Sequence, residues 1–197
     1  MKTISLILFS YFLGSFPTGY VIGKLIYKED IRKYGSGNIG MSNVFRTFGP
    51  LPALITFLGD AFKGYLPVLL AIHFKFPVSV IVVVALSSIL GHIFSIYLKF
   101  KGGKGIATTF GIFFAINPYL GLLAGAVWIL TLVISRYFSL GSLLATFSSI
   151  FFAWFLKMDI YYIYLFILIF LLALYTHRGN IKRLLTGTER KFGQKAR

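Results

Sequence analysis

The feature that most constrains this chain is a series of apolar segments separated by short polar loops. Hydrophobic residues make up 57% of its 197 residues and charged residues only 13%, whereas soluble domains carry roughly 25% charged residues. A helix needs about 20 apolar residues to cross a hydrocarbon core of about 30 Å. The sequence therefore predicts an all-α, polytopic integral membrane protein, with residues 1–197 forming a single membrane domain.

The apolar segments number seven. They are residues 4–26, 51–72, 77–98, 106–118, 119–134, 140–156 and 160–176. The first is interpreted as a retained span, because no convincing signal-peptide cleavage site follows it. The fourth and fifth are divided at Asn117-Pro118, since proline interrupts a helix. Seven spans predict an N-terminus outside and a C-terminus in the cytoplasm.

The distribution of basic residues supports this orientation. The net charge of +15 is explained by the excess of Lys and Arg in cytoplasmic loops, so no nucleic-acid partner is expected. With the N-terminus outside, only Lys2, Lys75 and Lys157 of the twenty Lys and Arg residues lie outside. Merging residues 106–134 into one span would place the basic tail outside. The cytoplasmic loops are then residues 28–50, 99–105, 135–142 and 177–197.

The first of these loops contains GSGNIGMSNVFR, residues 35–46. Glycines allow close approach of a ligand to the backbone, whose N–H groups can form an anion-binding nest. Amide and hydroxyl groups add neutral hydrogen bonds, and an arginine can bind phosphate through two parallel N–H groups. The candidate ligand-binding residues are Ser36, Gly37, Asn38, Asn43 and Arg46. An ordinary polar turn at the membrane surface is the alternative.

The second loop places glycines and lysines directly before the fourth apolar segment. Free N–H groups at the start of a helix favour an anion, and a lysine adds a point charge. The candidates for phosphate binding are Lys101, Gly102, Gly103 and Lys104. A basic cluster that holds anionic lipid head groups is the alternative.

The third loop and the tail supply further polar groups. Ser139 is expected to cap the sixth apolar helix, and Ser142 is a candidate binding residue. His177 and Asn180 stand three residues apart where the last span ends. Glu189 is expected to pair with a basic neighbour and hold the tail in place.

Ionisable side chains also occur inside the spans. Asp60 and Lys63 share a helix face at a spacing of three residues, so they are expected to neutralise each other near the site. His92 is either a packing residue or a base. The five carboxylates show no paired cluster for a metal, and with no cysteine the chain has no thiolate site. We expect neither a metal nor a cofactor.

Together these stretches resemble the bacterial glycerol-3-phosphate acyltransferases of the acyl-phosphate-dependent type. The matching stretches are GSGNIGMSNVFR (35–46), GDAFKG (59–64), GHIFSIYLKFKGGKGIAT (91–108) and HRGNIKRLLTGTER (177–190). Met41 departs from the alanine expected there. The resemblance implies a multi-pass protein of the bacterial inner membrane that moves a fatty acyl group from acyl phosphate to the 1-hydroxyl of glycerol 3-phosphate. The implied partners are these two substrates and membrane lipid. Apart from the resemblance, we expect a monomer, although the sequence does not give the oligomeric state.

The resemblance and the residues together suggest a mechanism. The loops of Arg46 and Lys104 hold the two phosphate groups, and the glycerol hydroxyl attacks the acyl carbonyl directly. His177, Ser36 and Asn180 are the catalytic candidates. The proton acceptor is either His177 or a substrate phosphate, and a serine nucleophile is a further alternative. A transporter or channel for an organic phosphate is the rival function, and a structural partner in a lipid-synthesis complex is a third.

Overall fold

The computed structural model describes residues 2–194 of the chain. Within this range the chain forms α-helices, two short 3-10 helices and no β-strand, which confirms the predicted fold class. The α-helices are α1 (Lys2–Ser15), α2 (Thr18–Leu25), α3 (Met41–Phe48), α4 (Pro50–His73), α5 (Val78–Ile93), α6 (Ile106–Ile116), α7 (Pro118–Ser135), α8 (Phe138–Phe155), α9 (Ile160–Thr176) and α10 (Arg178–Leu185). The 3-10 helices are Ile31–Lys33 and Ile96–Leu98. The predicted tail loop 177–197 extends beyond the described residues at 195–197.

The division between the fourth and fifth apolar segments is confirmed. The helix α6 ends at Ile116, and α7 begins at Pro118. Asn117 caps α7, because its side-chain oxygen accepts hydrogen bonds from the N–H groups of Tyr119 at 2.9 Å and Leu120 at 3.3 Å. Proline is well placed at the first helical position, where its missing N–H is not needed.

The first apolar segment, predicted as one span over residues 4–26, is a bent pair of helices and not one continuous helix. It breaks at Pro17, and the axes of α1 and α2 differ by 43°. Proline has no N–H to donate and therefore leaves a carbonyl of the preceding turn without a helical partner. Beside this break, the Phe16 carbonyl accepts from Lys63 Nζ of α4 at 2.7 Å and from the Thr18 N–H at 3.2 Å.

The structure supports fewer membrane crossings than the seven predicted from the sequence. By length and composition, four helical stretches of residues 2–194 can cross a membrane, or up to six if the bent pairs α1–α2 and α9–α10 each form one span. The helix α6 has 11 residues, which gives it a length of about 16 Å against a hydrocarbon core of about 30 Å. Seven complete crossings remain a prediction.

Small residues allow α4 and α6 to cross with their backbones in contact. A Cβ on Gly64 of α4 would lie 2.1 Å from the carbonyl oxygen of Thr108, and a Cβ on Gly111 of α6 would lie 1.9 Å from that of Ala61. Close backbone approach of this kind is a common basis of helix association in membranes. The contact fixes the start of α6, and with it Lys104, beside α4.

Candidate active site

A cavity of about 720 Å³, called the large cavity below, lies between α4, α6 and α7. Its apolar walls include Leu54, Phe57, Phe110, Phe114 and Ile129. Its polar end is lined by Arg46, Lys104, Ser142, His177, Asn180 and Glu189. The structure therefore brings together the three residues that carried the sequence-based mechanism, Arg46, Lys104 and His177.

Glu189 is the centre of a hydrogen-bonded group that we call the carboxylate network. Its Oε1 accepts from Ser139 Oγ at 2.7 Å and from Asn180 Nδ2 at 2.6 Å, and its Oε2 accepts from Arg183 Nε at 2.7 Å. Lys104 joins the network by donating from Nζ to Asn180 Oδ1. Burial raises the pKa of Glu189, but these hydrogen bonds outweigh it and hold the pKa below its usual value. The predicted pairing of Glu189 with a basic neighbour is confirmed.

The protein environment disfavours the charged form of Lys104. Burial is the main cause that lowers the pKa of its ammonium group to about 8, and repulsion from Arg183 and Arg46 adds to it. Glu189 acts in the opposite direction. A bound phosphate would remove part of this cost, because an opposite charge favours the protonated lysine.

His177 presents one free ring nitrogen. Its Nδ1 lies 2.9 Å from the Ala173 carbonyl oxygen, and since a carbonyl only accepts, Nδ1 carries the proton of the neutral ring. Among the described residues Nε2 has no hydrogen-bond partner, and the residue lines the large cavity. Burial first, and repulsion from Lys104 second, lower the pKa of His177 to about 3. The imidazole is therefore neutral at physiological pH.

The tail closes one edge of the large cavity. Arg46 Nη2 donates to the Arg190 carbonyl at 3.1 Å. Phe192 stacks on Phe45 with ring centroids 5.2 Å apart, and its N–H donates to the Arg136 carbonyl at 2.6 Å. The Nε of Arg46 is buried without a hydrogen-bond partner among residues 2–194. Arg46 thus keeps unused donor capacity in the cavity wall.

The first loop uses several of its donors internally, which corrects the binding assignment of Asn43 and the expected nest of N–H groups. Asn43 is fully buried, and its amide donates to the carbonyls of Ile31, Tyr34 and Asn38 at 3.2, 3.0 and 2.9 Å. Its oxygen accepts from the Ser36 N–H at 2.9 Å, so it has no group left for a substrate. The N–H of Gly37 likewise donates to Tyr34. Asn43 folds the loop, and the expected nest of free N–H groups is not formed by residues 36 and 37.

The second loop requires a similar correction. The N–H of Gly102 donates to the Ile93 carbonyl at 2.9 Å, and that of Gly103 donates to the His92 carbonyl at 3.0 Å. Neither N–H is available to a phosphate. These glycines are instead needed for space, since a Cβ on Gly103 would lie 2.1 Å from His92 Nε2. Lys101 is exposed and does not line the large cavity.

A second, more polar cavity of about 300 Å³, called the small cavity, adjoins the first. Ser36 and Gly37 line it and do not line the large cavity. Asn38, Lys104 and Asn180 line both. Lys104 therefore lies at the boundary between the two cavities.

Two serines on α8 have roles that differ from those expected. Ser139 does not cap its helix, which is flanked by Tyr137, because its hydroxyl donates to Glu189. Ser142 lines the large cavity, but its hydroxyl donates to the Phe138 carbonyl at 2.9 Å and accepts from Trp128 Nε1 at 3.4 Å. Sequence reasoning also missed Arg183 and Phe192. No local pattern joins Ser139 to Glu189, which is 50 residues away.

The expected ion pair inside the bundle is confirmed. Lys63 Nζ lies 2.8 Å from Asp60 Oδ1, with both side chains buried. His92 Nδ1 lies 3.9 Å from the same oxygen, and both Asp60 and His92 line the large cavity. Across residues 2–194, no three His, Asp or Glu side chains are grouped so that they could hold a metal ion.

Comparison with known proteins identifies the family. The family model described as glycerol-3-phosphate acyltransferase matches residues 4–187. A glycerol-3-phosphate acyltransferase of Methylobacillus flagellatus is 41% identical over 100% of both chains. One from Geotalea daltonii is 41% identical over 96% of this chain and 97% of its own.

Solved structures agree with the sequences. A crystal structure of PlsY, an integral membrane glycerol 3-phosphate acyltransferase, in its glycerol 3-phosphate form has a TM-score of 0.94 and 39% identity, and the match covers 98% of this chain and 96% of that one. Its lysophosphatidic acid form has a TM-score of 0.92 and 38% identity, with coverage of 98% and 97%. Because the family model matches nearly the whole chain and the relatives are similar over their full length, this chain belongs to the glycerol-3-phosphate acyltransferase family.

Proposed function

We propose that this protein transfers a fatty acyl group from an acyl phosphate to the 1-hydroxyl of glycerol 3-phosphate. The products are 1-acylglycerol 3-phosphate and inorganic phosphate, in the first acylation of phospholipid synthesis. The observation that carries the proposal is a single cavity with a cationic end and an apolar end. Phosphate suits the first, and a fatty chain suits the second. The glycerol 3-phosphate and lysophosphatidic acid forms of the similar crystal structures support it.

The two cavities suit the two substrates. The acyl phosphate takes the large cavity, because its chain needs apolar walls. Glycerol 3-phosphate reaches the reaction centre through the small cavity, whose lining includes Arg183 and Lys104. Because Lys104 and Asn180 line both cavities, they lie where the two phosphate groups approach each other.

The chemical step needs no covalent acyl-enzyme, since an acyl phosphate is already activated. The 1-hydroxyl oxygen forms a bond to the acyl carbonyl carbon, and the bond from that carbon to the phosphate oxygen breaks. The departing phosphate takes the electron pair. Lys104 and Arg46 stabilise the negative charge that grows on the phosphate, which is the usual large contribution in acyl transfer.

A substrate phosphate is the better proton acceptor. A general base is most effective when its pKa lies near the working pH, and the pKa of His177 is lowered to about 3. His177 Nε2 instead accepts a hydrogen bond from the neighbouring 2-hydroxyl of glycerol 3-phosphate, and this contact orients the attacking 1-hydroxyl. The 1-hydroxyl oxygen then donates its one proton to phosphate, which leaves as inorganic phosphate.

The deciding experiment is an assay of purified protein with glycerol 3-phosphate and either palmitoyl phosphate or palmitoyl coenzyme A. We expect turnover with the phosphate and none with the coenzyme A ester. Turnover with the coenzyme A ester alone would show that the proposed donor is wrong. No turnover with either donor would show that the proposed reaction is wrong. Vesicles that move glycerol 3-phosphate without acylating it would show that the rival, a transporter, is correct.

The same assay tests the role of His177. An orienting role predicts that His177→Ala lowers kcat by about 10²-fold, the range seen when a positioning or acid–base group is lost. It also predicts that His177→Asn, which keeps a hydrogen-bond acceptor, recovers part of the rate. Full activity of His177→Ala would exclude both the orienting and the basic role.

The location and assembly follow from the same proposal. The protein acts in the bacterial inner membrane with its active-site loops facing the cytoplasm. It acts as a monomer. It uses no cofactor.

A further inference from the structure

One glycine in the wall of the large cavity has no packing contact that requires it. Gly125 lies inside α7, and a Cβ built on it would have no atom within 4 Å. Gly121, one turn earlier, differs, because its Cβ would lie 2.7 Å from the Phe114 ring. Glycine is less favourable than alanine inside a helix. Gly125 therefore lowers the stability of α7 without allowing a closer packing contact. The space left by its missing side chain is part of the large cavity.

The neighbours of Gly125 place it in the apolar part of that wall. Phe114 packs against Gly121 on one side. On the other side Phe110 meets Trp128 edge to face, with ring centroids 6.5 Å apart. Residues three and four apart share a helix face, so Gly125 lies between these two aromatic contacts of α6 with α7. A side chain there would project into the space beside the two phenylalanines.

Gly125 is also deeper than the polar end. The part of α7 that lines the cavity runs from Gly121 to Leu132, which corresponds to about 16 Å of helix. Ser142, at the polar end, is bonded to Trp128, three residues further along α7 towards the polar end than Gly125. Ser139, which donates to Glu189, lies a further three residues towards the head group on α8, so Gly125 is about six residues, or roughly 9 Å, from the carboxylate network. An extended acyl chain with its head group at that network reaches Gly125 only with the carbons beyond about the seventh.

We propose that Gly125 sets the longest acyl chain that this enzyme uses efficiently, by leaving room for the distal methylenes of the donor. The inference rests on the proposed function and specifies its substrate further, as a long-chain fatty acyl donor. Each methylene excluded from an apolar site lowers affinity about fourfold. A large side chain at Gly125 therefore penalises long chains and leaves short ones unaffected.

The test compares octanoyl, dodecanoyl and palmitoyl phosphate as donors for purified wild type, Gly125→Leu, Gly125→Phe and a control. The control is Leu130→Phe, which adds bulk on the same helix at a lipid-facing position that is 61% exposed and does not line the cavity. We expect both Gly125 variants to lower the ratio of kcat/KM for palmitoyl to octanoyl phosphate by about tenfold or more. The control keeps the wild-type ratio.

Activity with octanoyl phosphate shows whether each variant is correctly folded, because this short donor should not be affected by a side chain at Gly125. An unchanged ratio in both Gly125 variants would overturn the inference, because the chain would then lie elsewhere or leave between the helices into the bilayer. Equal loss with all three donors in both variants would overturn it as well, since Gly125 would then be needed for the structure. A wild type that turns over none of the acyl phosphates would contradict the proposed function itself.

Discussion

At the scale of single residues, the proposed binding of phosphate depends on the charge of Lys104. Its ammonium group is the cation shared by both cavities. Burial lowers its pKa to about 8, so the protonated form is complete well below that pH and is lost above it. A neutral lysine cannot attract phosphate. Binding of glycerol 3-phosphate should therefore weaken on the alkaline side of neutrality.

The first prediction at this scale concerns the pH profile. The kcat/KM for glycerol 3-phosphate, which reports the free enzyme, should fall above a pH of about 8. In Lys104→Arg the charge persists to much higher pH, so the decline should move to higher pH even if the absolute rate is lower. Identical alkaline declines in wild type and Lys104→Arg would assign the titration to another group.

At the scale of elements, the loop between α5 and α6 is held by its backbone against the end of α5. The missing side chains of Gly102 and Gly103 permit this contact, but they face different atoms. A Cβ on Gly103 would meet the His92 side chain at 2.1 Å, whereas a Cβ on Gly102 would meet the His92 carbonyl oxygen at 2.0 Å. Removing the His92 side chain should therefore relieve the clash of a substitution at Gly103 but not the clash of one at Gly102.

We expect Gly103→Ala to displace Lys104 and lower kcat/KM by about 10²-fold, the size of effect that a shift of about 1 Å has produced elsewhere. His92→Ala in the same chain removes the clashing ring and should recover part of this loss. The matched control is Gly102→Ala with His92→Ala, which should recover nothing, because the backbone oxygen remains. Kinetics of the single and double variants form a mutant cycle. Additive losses for Gly103 and His92 would contradict the contact.

At the scale of the whole molecule, the carboxylate network places the polar segments on one side. It joins Lys104 before α6, Ser139 on α8 and the tail beyond α9. The chain therefore returns to the same side through α6 and α7, whether or not the short α6 crosses the membrane completely. The polar end of the site is on that side, which is also the side with the excess of Lys and Arg.

The orientation of the molecule is open to a direct measurement, because the sequence contains no cysteine. The basic side should be cytoplasmic. In intact cells, a membrane-impermeant thiol reagent should label Lys157→Cys at the opposite end of the bundle and should label Lys191→Cys in the tail only after permeabilisation. Both positions are exposed. The opposite pattern would reverse the orientation and place the active site outside.

Local patterns in the sequence were sufficient to predict the helices and several residues of the site. Hydrophobic segment length predicted the membrane helices, and Asn117-Pro118 predicted the boundary between α6 and α7. The spacing of Asp60 and Lys63 predicted their ion pair. These features depend on neighbours within a few residues. The residues that line the cavities, Lys104 and His177 among them, were likewise found from their positions at the ends of apolar segments.

Only the tertiary structure decided which polar groups remain free for a substrate. Asn43, Gly102 and Gly103 carry suitable donors, but partners elsewhere in the chain already use them. Ser139 meets Glu189 across 50 residues, and Lys63 donates to the Phe16 carbonyl, 47 residues away. A donor's availability depends on which distant acceptor packs beside it, and burial in that packing also lowers the pKa of Lys104. Neither property is present in the local spacing of residues.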